Sequence, residues 1–129
     1  MAVAPASMPV LRVTPMMILP DIAPALNRYE ALGFERVESG DPGCLGLRAG
    51  QTAVILASTA FIRGDFGPAH ASRLAGRTVN YIHVASVDGA RRGLSPAAVI
   101  LEDVRTRGGT RELLVEDGGD LFILAEQVA

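Results

Sequence analysis

The spacing of apolar and polar residues predicts a strand, a helix and three more strands in the first half of this 129-residue chain. Residues 11–19 form an apolar run typical of a buried strand, and Pro15 within it indicates an edge position or a bulge. In residues 22–32 apolar side chains recur at three- and four-residue steps, and Gly33 follows as the expected C-cap, which predicts a helix. The three strands expected after it cover residues 34–39, 44–48 and 52–58.

The same order of elements returns in the second half of the chain. The predicted elements are a strand at 78–86, a weaker glycine-containing helix at 87–94, an extended stretch after Pro96, and two strands at 110–116 and 121–127 joined by a turn. Aligning Asp21 with Asp88 superimposes the two halves. Residues 10–58 and 79–129 are therefore interpreted as two modules of one repeated unit.

Two segments fall outside this repeat. Residues 1–9 are mostly small, contain two prolines and are interpreted as a flexible N-terminal arm. Residues 59–78 are rich in glycine and charged side chains and are predicted to form an inter-module loop. Phe61 in this segment either packs beneath the loop or forms one wall of a binding site.

Composition narrows the class of protein without indicating an activity. Hydrophobic residues make up 49% of the chain and charged residues 20%, which suits one globular core. All 12 basic residues are arginine, which excludes Schiff-base or phosphate-loop chemistry that depends on lysine. The net charge of −2 gives no electrostatic case for nucleic acid, and no apolar run is long enough to span a membrane. A cytoplasmic domain is expected, in which Cys44, the only cysteine, is a small buried residue.

The chain resembles the vicinal oxygen chelate superfamily, which includes glyoxalase I, extradiol dioxygenases and bleomycin-resistance proteins. The segments that carry the resemblance are TPMMILPDIAPALNRYEALGF at residues 14–34 and DGGDLFILAE at residues 117–126. The resemblance implies an α+β fold in which two βαβββ modules form a cup-shaped curled sheet. It also implies a homodimer, with or without exchange of modules between chains.

At the positions where the resemblance places metal ligands, this chain carries poor ligands. Counting seven residues back from Asp21 and Asp88 gives Thr14 and Tyr81, and counting seven residues forward from Asp117 gives Leu124. The fourth position falls in residues 52–58, which hold no carboxylate, amide or imidazole. A divalent metal needs several converging donors such as His, Glu or Gln. The chain is therefore predicted to use no metal or other cofactor, to be a binding protein rather than an enzyme, and to be similar to the metal-free bleomycin-resistance branch.

The candidate ligand-binding residues are those expected to line the cup. They are Met16, Ile18, Phe61, Tyr81, His83, Arg111, Phe122, Leu124 and Glu126. Strand alternation puts His83 on the same face as Tyr81, and Glu126 on the same face as Leu124. One member of the pair Arg111 and Glu112 is expected to point into the cup, where Arg111 would hold an anionic group; a surface ion pair is the other interpretation.

Three hypotheses for function remain open at this stage. The favoured one is non-catalytic binding or sequestration of a small, largely apolar or aromatic molecule, such as an antibiotic or a metabolite, in the cup. The first alternative is a metal-dependent lyase, isomerase or dioxygenase that uses His83 and Glu126 as a displaced pair. The second alternative is an interaction module whose cup is filled by its own side chains.

Overall fold

The computed structural model describes residues 10–128, with residues 38–40 described for their backbone alone, so the predicted arm at 1–9 lies outside the described residues. The strands in this range are β1 (Val10–Leu19), β2 (Glu35–Asp41), β3 (Cys44–Ala49), β4 (Thr52–Ser58), β5 (Thr78–Val84), β6 (Val99–Arg105), β7 (Thr110–Asp117) and β8 (Asp120–Gln127). The helices are α1 (Ala23–Ala31), α2 (Thr59–Phe66), α3 (Pro68–Leu74) and α4 (Val87–Arg92). Among residues 10–128, no helix combines the length and the hydropathy needed to cross a membrane.

The described residues divide into two compact units. The first unit comprises residues 14–79, and the second comprises residues 10–13 and 80–128. The chain order β1-α1-β2-β3-β4 is repeated as β5-α4-β6-β7-β8. The predicted α+β class with two βαβββ modules is confirmed.

The first unit is a four-stranded sheet with α1 packed against one face. Its strand order is β2-β3-β4-β1, with β1 parallel to β4 and the other pairs antiparallel. The Asp21 carboxylate accepts a hydrogen bond from the Ala23 amide at 3.0 Å, and Gly33 follows the helix with a φ of 104°, a backbone that ends helices and favours glycine. The core beneath α1 is formed by Ile22, Ala25, Leu47 and Leu56.

The prediction of a loop over residues 59–78 is wrong, because most of this segment forms α2 and α3. The Ser58 side chain caps α2 by accepting a hydrogen bond from the Phe61 amide at 3.0 Å. Gly67, with a φ of 86°, separates the two helices. The apolar side chains that these helices bury are Ile62, Phe66, Ala71 and Leu74. The glycine that suggested a loop is the break between two short helices.

The second unit is a four-stranded sheet with α4 packed against one face. Its strand order is β5-β8-β7-β6, with β5 parallel to β8 and the other pairs antiparallel. The turn between β7 and β8 contains Gly118 and Gly119, with φ values of 60° and 85°, as the predicted hairpin requires. The buried core beneath α4 is formed by Val84, Val87, Leu113, Val115 and Leu124.

Candidate functional site

The sheet of the second unit has two chemically different faces. Tyr81 is in register with Ile123, and His83 is in register with Ala125, which is in turn in register with Glu112 on β7. Residues in register share a face, and successive residues alternate between faces. We call one side the tyrosine face; it carries Tyr81, His83, Glu112, Leu114, Ile123 and Ala125. The other side, which packs against α4, is the helix face.

The prediction that Phe122 and Leu124 lie beside Tyr81 is wrong. Leu124 is in register with Ile82, and both belong to the cluster packed under α4, as does Phe122. The seven-residue count from Asp117 missed the tyrosine face by one position, and a shift of one residue reverses the face of a strand. The β8 residues that share the tyrosine face are instead Ile123 and Ala125, whose side chains are hydrocarbon.

Glu126 also lies on the helix face, so the predicted pair with His83 is wrong. Its register partner is Arg111, and its Oε1 accepts a hydrogen bond from the Val87 amide at 2.7 Å. Val87 begins α4, where amide groups lack partners within the helix. Glu126 therefore attaches the start of α4 to the sheet, on the opposite side from His83.

Arg111 takes part in an ion-pair network on the helix face. Its Nε and Nη2 atoms donate to the two oxygens of Asp103 at 3.1 and 2.9 Å, and Nη1 donates to Asp88 at 2.9 Å. These hydrogen bonds, first to Asp103 and then to Asp88, raise the pKa of Arg111 further above its usual range. The hydrogen bonds from Arg111 to Asp103 lower the pKa of Asp103. Only 17% of the Arg111 side chain is exposed. The ion-pair interpretation is therefore the one that the structure supports.

A chain of hydroxyl groups leads to a buried carboxylate on the tyrosine face. The Tyr81 hydroxyl donates to Oε2 of Glu112 at 2.5 Å, and the Thr110 hydroxyl donates to the same oxygen at 2.8 Å. The Thr110 hydroxyl is also 2.6 Å from the Thr106 hydroxyl. Thr110 has already given its only hydroxyl hydrogen to Glu112, so Thr106 is the donor in that contact. Tyr81 and Glu112 are only 8% and 6% exposed, so this network is almost dry.

The Tyr81 side chain crosses one strand to reach Glu112. Strand β8 lies between β5 and β7, so the two backbones are about 10 Å apart, two strand spacings. Ala125 of β8 is in register with both His83 and Glu112, so it lies between them. A methyl side chain at this position leaves space above β8 for the phenol ring.

His83 contacts the same tyrosine and is neutral at physiological pH. The centroid of its ring lies 4.8 Å from that of Tyr81, in an edge-to-face arrangement with an angle of 66° between the planes. Burial, and to a lesser degree the positive charge of Arg12, lower the pKa of His83 from 6.5 to about 4. A neutral imidazole offers one donor nitrogen and one acceptor nitrogen.

The predicted residues of the first unit are buried on the face away from α1. Thr14, Met16 and Ile18 alternate along β1 as expected and are 4%, 3% and 0% exposed. Met16 and Ile18 are in register with Ile55 and Ala57 of β4, so the β4 residues of this face are hydrocarbon. Phe61 is half-buried in the first turn of α2.

Of the nine predicted residues, the structure brings Tyr81 and His83 into contact and gives Met16 and Ile18 a common face. Sequence reasoning missed the role of Glu112, although it identified the pair to which this residue belongs. Counting back from the hairpin turn would have paired Glu112 with Ala125. Among the described side chains, those of residues 10–37 and 41–128, no three of His, Cys, Asp or Glu converge in a way that could hold a metal ion.

No protein-family model matches the chain, and no curated protein matches it either. Solved structures do match. A methylmalonyl-CoA epimerase from Mycobacterium tuberculosis is 17% identical, with 98% of this chain and 94% of that chain covered and a TM-score of 0.58. A glyoxalase/bleomycin resistance protein/dioxygenase superfamily member from Vibrio splendidus 12B01 is 15% identical, with 89% and 97% covered and a TM-score of 0.54. An uncharacterized protein from Methanosarcina mazei is 19% identical, with 92% of each chain covered and a TM-score of 0.51.

At these identities the likeness is one of fold. The same fold was predicted from the resemblance carried by residues 14–34 and 117–126. The chain has the fold of the glyoxalase/bleomycin resistance/dioxygenase superfamily, the vicinal oxygen chelate fold.

Proposed function

We propose that this chain binds a small, largely apolar or aromatic molecule without the help of a metal, and that the tyrosine face supplies the polar contacts. One observation carries the proposal: Tyr81, His83 and Glu112 lie on one face of this sheet beside the hydrocarbon side chains of Leu114, Ile123 and Ala125. Sites for small molecules are typically apolar, with a few polar groups that fix orientation. Sequestration of an antibiotic or a metabolite is the activity that this proposal implies.

The roles of individual side chains support binding without a metal. The Tyr81 hydroxyl gives its hydrogen to Glu112, and the Glu126 carboxylate holds the start of α4. Metal ligation by either group would disrupt a contact that now stabilises the fold. Ile123, the β8 residue in register with Tyr81, has no donor atom in its side chain.

His83 is the member of this group that a molecule from solvent reaches first. It is half-buried, whereas Tyr81 and Glu112 are nearly covered. An aromatic ligand can pack on the imidazole ring and hydrogen-bond to it, and its polar end can then reach the Tyr81 hydroxyl. A ligand that reaches Tyr81 must displace side chains that now cover it, so we expect binding to require local opening.

A thermal-shift screen with small aromatic compounds and antibiotics tests the proposal. We expect at least one compound to raise the melting temperature equally with and without EDTA. His83→Leu should weaken binding by about fivefold, the worth of one hydrogen bond. Tyr29→Phe is the matched control, because Tyr29 lies in the first unit and donates to the Met17 sulfur. Loss of the ligand effect in EDTA would overturn the proposal.

A second candidate is an interaction module that binds no small molecule. The burial of the tyrosine face favours it, since Ile123 is 0% and Tyr81 8% exposed. In that case no compound would stabilise the chain, and His83→Leu would change only the free energy of unfolding.

A further inference from the structure

We infer that the ligand of the tyrosine face carries an anionic group, such as a carboxylate, and that Arg12 binds this group beside His83. This inference rests on the proposed function and adds to it the chemical class of the ligand. Both residues can be reached from solvent, since Arg12 is exposed and His83 is half-buried. Leu11 and Val13, the neighbours of Arg12 on β1, point to the opposite face.

The first step places Arg12 opposite His83. The start of β1 belongs to the same compact unit as most of β5. At the other end of β1, the Ile18 amide donates to the Arg77 carbonyl at 2.9 Å, and the Gly76 amide donates to the Ile18 carbonyl at 2.8 Å. Arg12 comes six residues before Ile18, and His83 comes six residues after Arg77. Strands that run in opposite directions from this contact therefore bring Arg12 and His83 together on one face, and the charge of Arg12 does act on His83.

The second step concerns the charge that Arg12 presents. An arginine side chain stays charged at physiological pH and has five N–H donors and no acceptor. Arg36 and Arg111 bind carboxylates of this chain. Within the described part of the chain, by contrast, the guanidinium of Arg12 has no hydrogen-bond or ion-pair partner. Its donors are therefore available to an anionic group from solution.

The third step concerns the groups around Arg12. Burial, and then the charge of Arg12, lower the pKa of His83 to about 4, so the neutral imidazole can donate one N–H to a carboxylate that Arg12 holds. Glu112, the buried carboxylate of this face, is separated from His83 by β8, so their backbones are about 10 Å apart. An anion at Arg12 is therefore attracted at contact distance, while Glu112 repels it only from farther away.

Three single-ring compounds of similar size test the inference on the full chain: benzoate, benzamide and benzylamine. Ligand-observed NMR titration gives their dissociation constants. We expect benzoate to bind about fivefold more tightly than the neutral benzamide, and the cationic benzylamine to bind most weakly. Raising the sodium chloride concentration from about 20 mM to about 300 mM should reduce this preference, because salt screens an exposed ion pair.

Arg12→Gln isolates the contribution of the guanidinium. It should weaken the binding of benzoate about fivefold and leave that of benzamide unchanged, whereas His83→Leu should weaken all three compounds. Arg28→Gln is the matched control, because Arg28 is exposed on α1 in the first unit and its replacement changes the net charge equally. Arg12→Gln should also raise the pKa of His83, which NMR titration of the ring protons measures.

The outcomes separate the inference from the proposed function. Equal binding of benzoate and benzamide, or an equal loss of benzoate affinity in Arg12→Gln and Arg28→Gln, would overturn the inference while the proposed function stands. An unchanged pKa of His83 in Arg12→Gln would overturn it too, since the guanidinium would then not lie beside the imidazole. If none of the three compounds binds, while the wider screen finds ligands without an anionic group, the inference alone is wrong. If no compound binds in either experiment, both are wrong.

Discussion

At the scale of single residues, His83 should make the stability of the protein depend on pH. Burial and the charge of Arg12 lower its pKa from 6.5 to about 4 in the folded state. The unfolded chain therefore binds a proton below pH 6.5 that the folded chain does not bind until about pH 4. The free energy of unfolding should fall as the pH falls through this window, with a slope of at most about 1.4 kcal/mol per pH unit.

Urea unfolding at pH 7 and at pH 5 measures this effect, and His83→Gln is the comparison, because glutamine is polar but does not titrate. The variant should lose most of the difference between the two pH values. Asp103, whose pKa is lowered by Arg111, acts in a separate window at lower pH, since its contribution is lost as the pH falls below 3.8. An equal slope in the variant and the wild type would show that another group is responsible.

At the scale of elements, Glu126 should stabilise α4 rather than take part in ligand binding. The helix has six residues, and its first amides are satisfied by Ser86, which accepts from Gly89 at 3.1 Å, and by Glu126, which accepts from Val87. Glu126→Ala should lower the free energy of unfolding by about 1 kcal/mol, as for other lost caps, and Glu126→Gln by less. Chemical denaturation measures both.

A binding assay tests whether Glu126 contributes to the ligand site. Because this side chain lies on the helix face, its replacement should leave unchanged the dissociation constant of any aromatic compound that the thermal-shift screen identifies. Weaker binding by Glu126→Ala at unchanged stability would return this residue to the ligand site.

Helices α1 and α4, which belong to the repeated unit, could be predicted from the sequence, whereas α2 and α3, which lie outside it, could not. The apolar stripe of α1 runs through nine residues that contain no glycine, and Gly33 follows it, so the pattern was sufficient to predict this helix. Helices α2 and α3 have eight and seven residues and are separated by Gly67. Two turns of helix repeat the 3.6-residue period only twice, and the glycine then dominates the pattern.

At the scale of the whole molecule, the internal repeat made the fold predictable, but it did not predict which side of β8 faces the site. That side is decided by the pairing of β5 with β8, which lie far apart in sequence. No local pattern encodes this register, because Phe122, Ile123, Leu124 and Ala125 are apolar in succession. Such a run suits a strand covered on both faces, and it gives no alternation from which a face could be inferred.

The oligomeric state is a further property of the whole molecule, and the start of β1 makes it testable. The homodimer implied by the resemblance stays a prediction. Val10, Leu11 and Val13 are 57%, 63% and 52% exposed. Since neighbouring strand residues point to opposite faces, this stretch exposes apolar side chains on both of them. Contiguous exposed apolar surface is typical of an association site, so we expect a second copy of the chain to cover it.

Light scattering after size-exclusion chromatography should give twice the mass of the chain for the wild type. Leu11→Glu should shift the protein toward the mass of one chain, because a carboxylate in an apolar interface loses its hydration without gaining a partner. Leu32→Glu is the matched control: Leu32 is 71% exposed at the end of α1, and its replacement should leave the mass unchanged. Dissociation by both variants would indicate a general effect of added charge, and a monomeric wild type would show that the start of β1 stays exposed in solution.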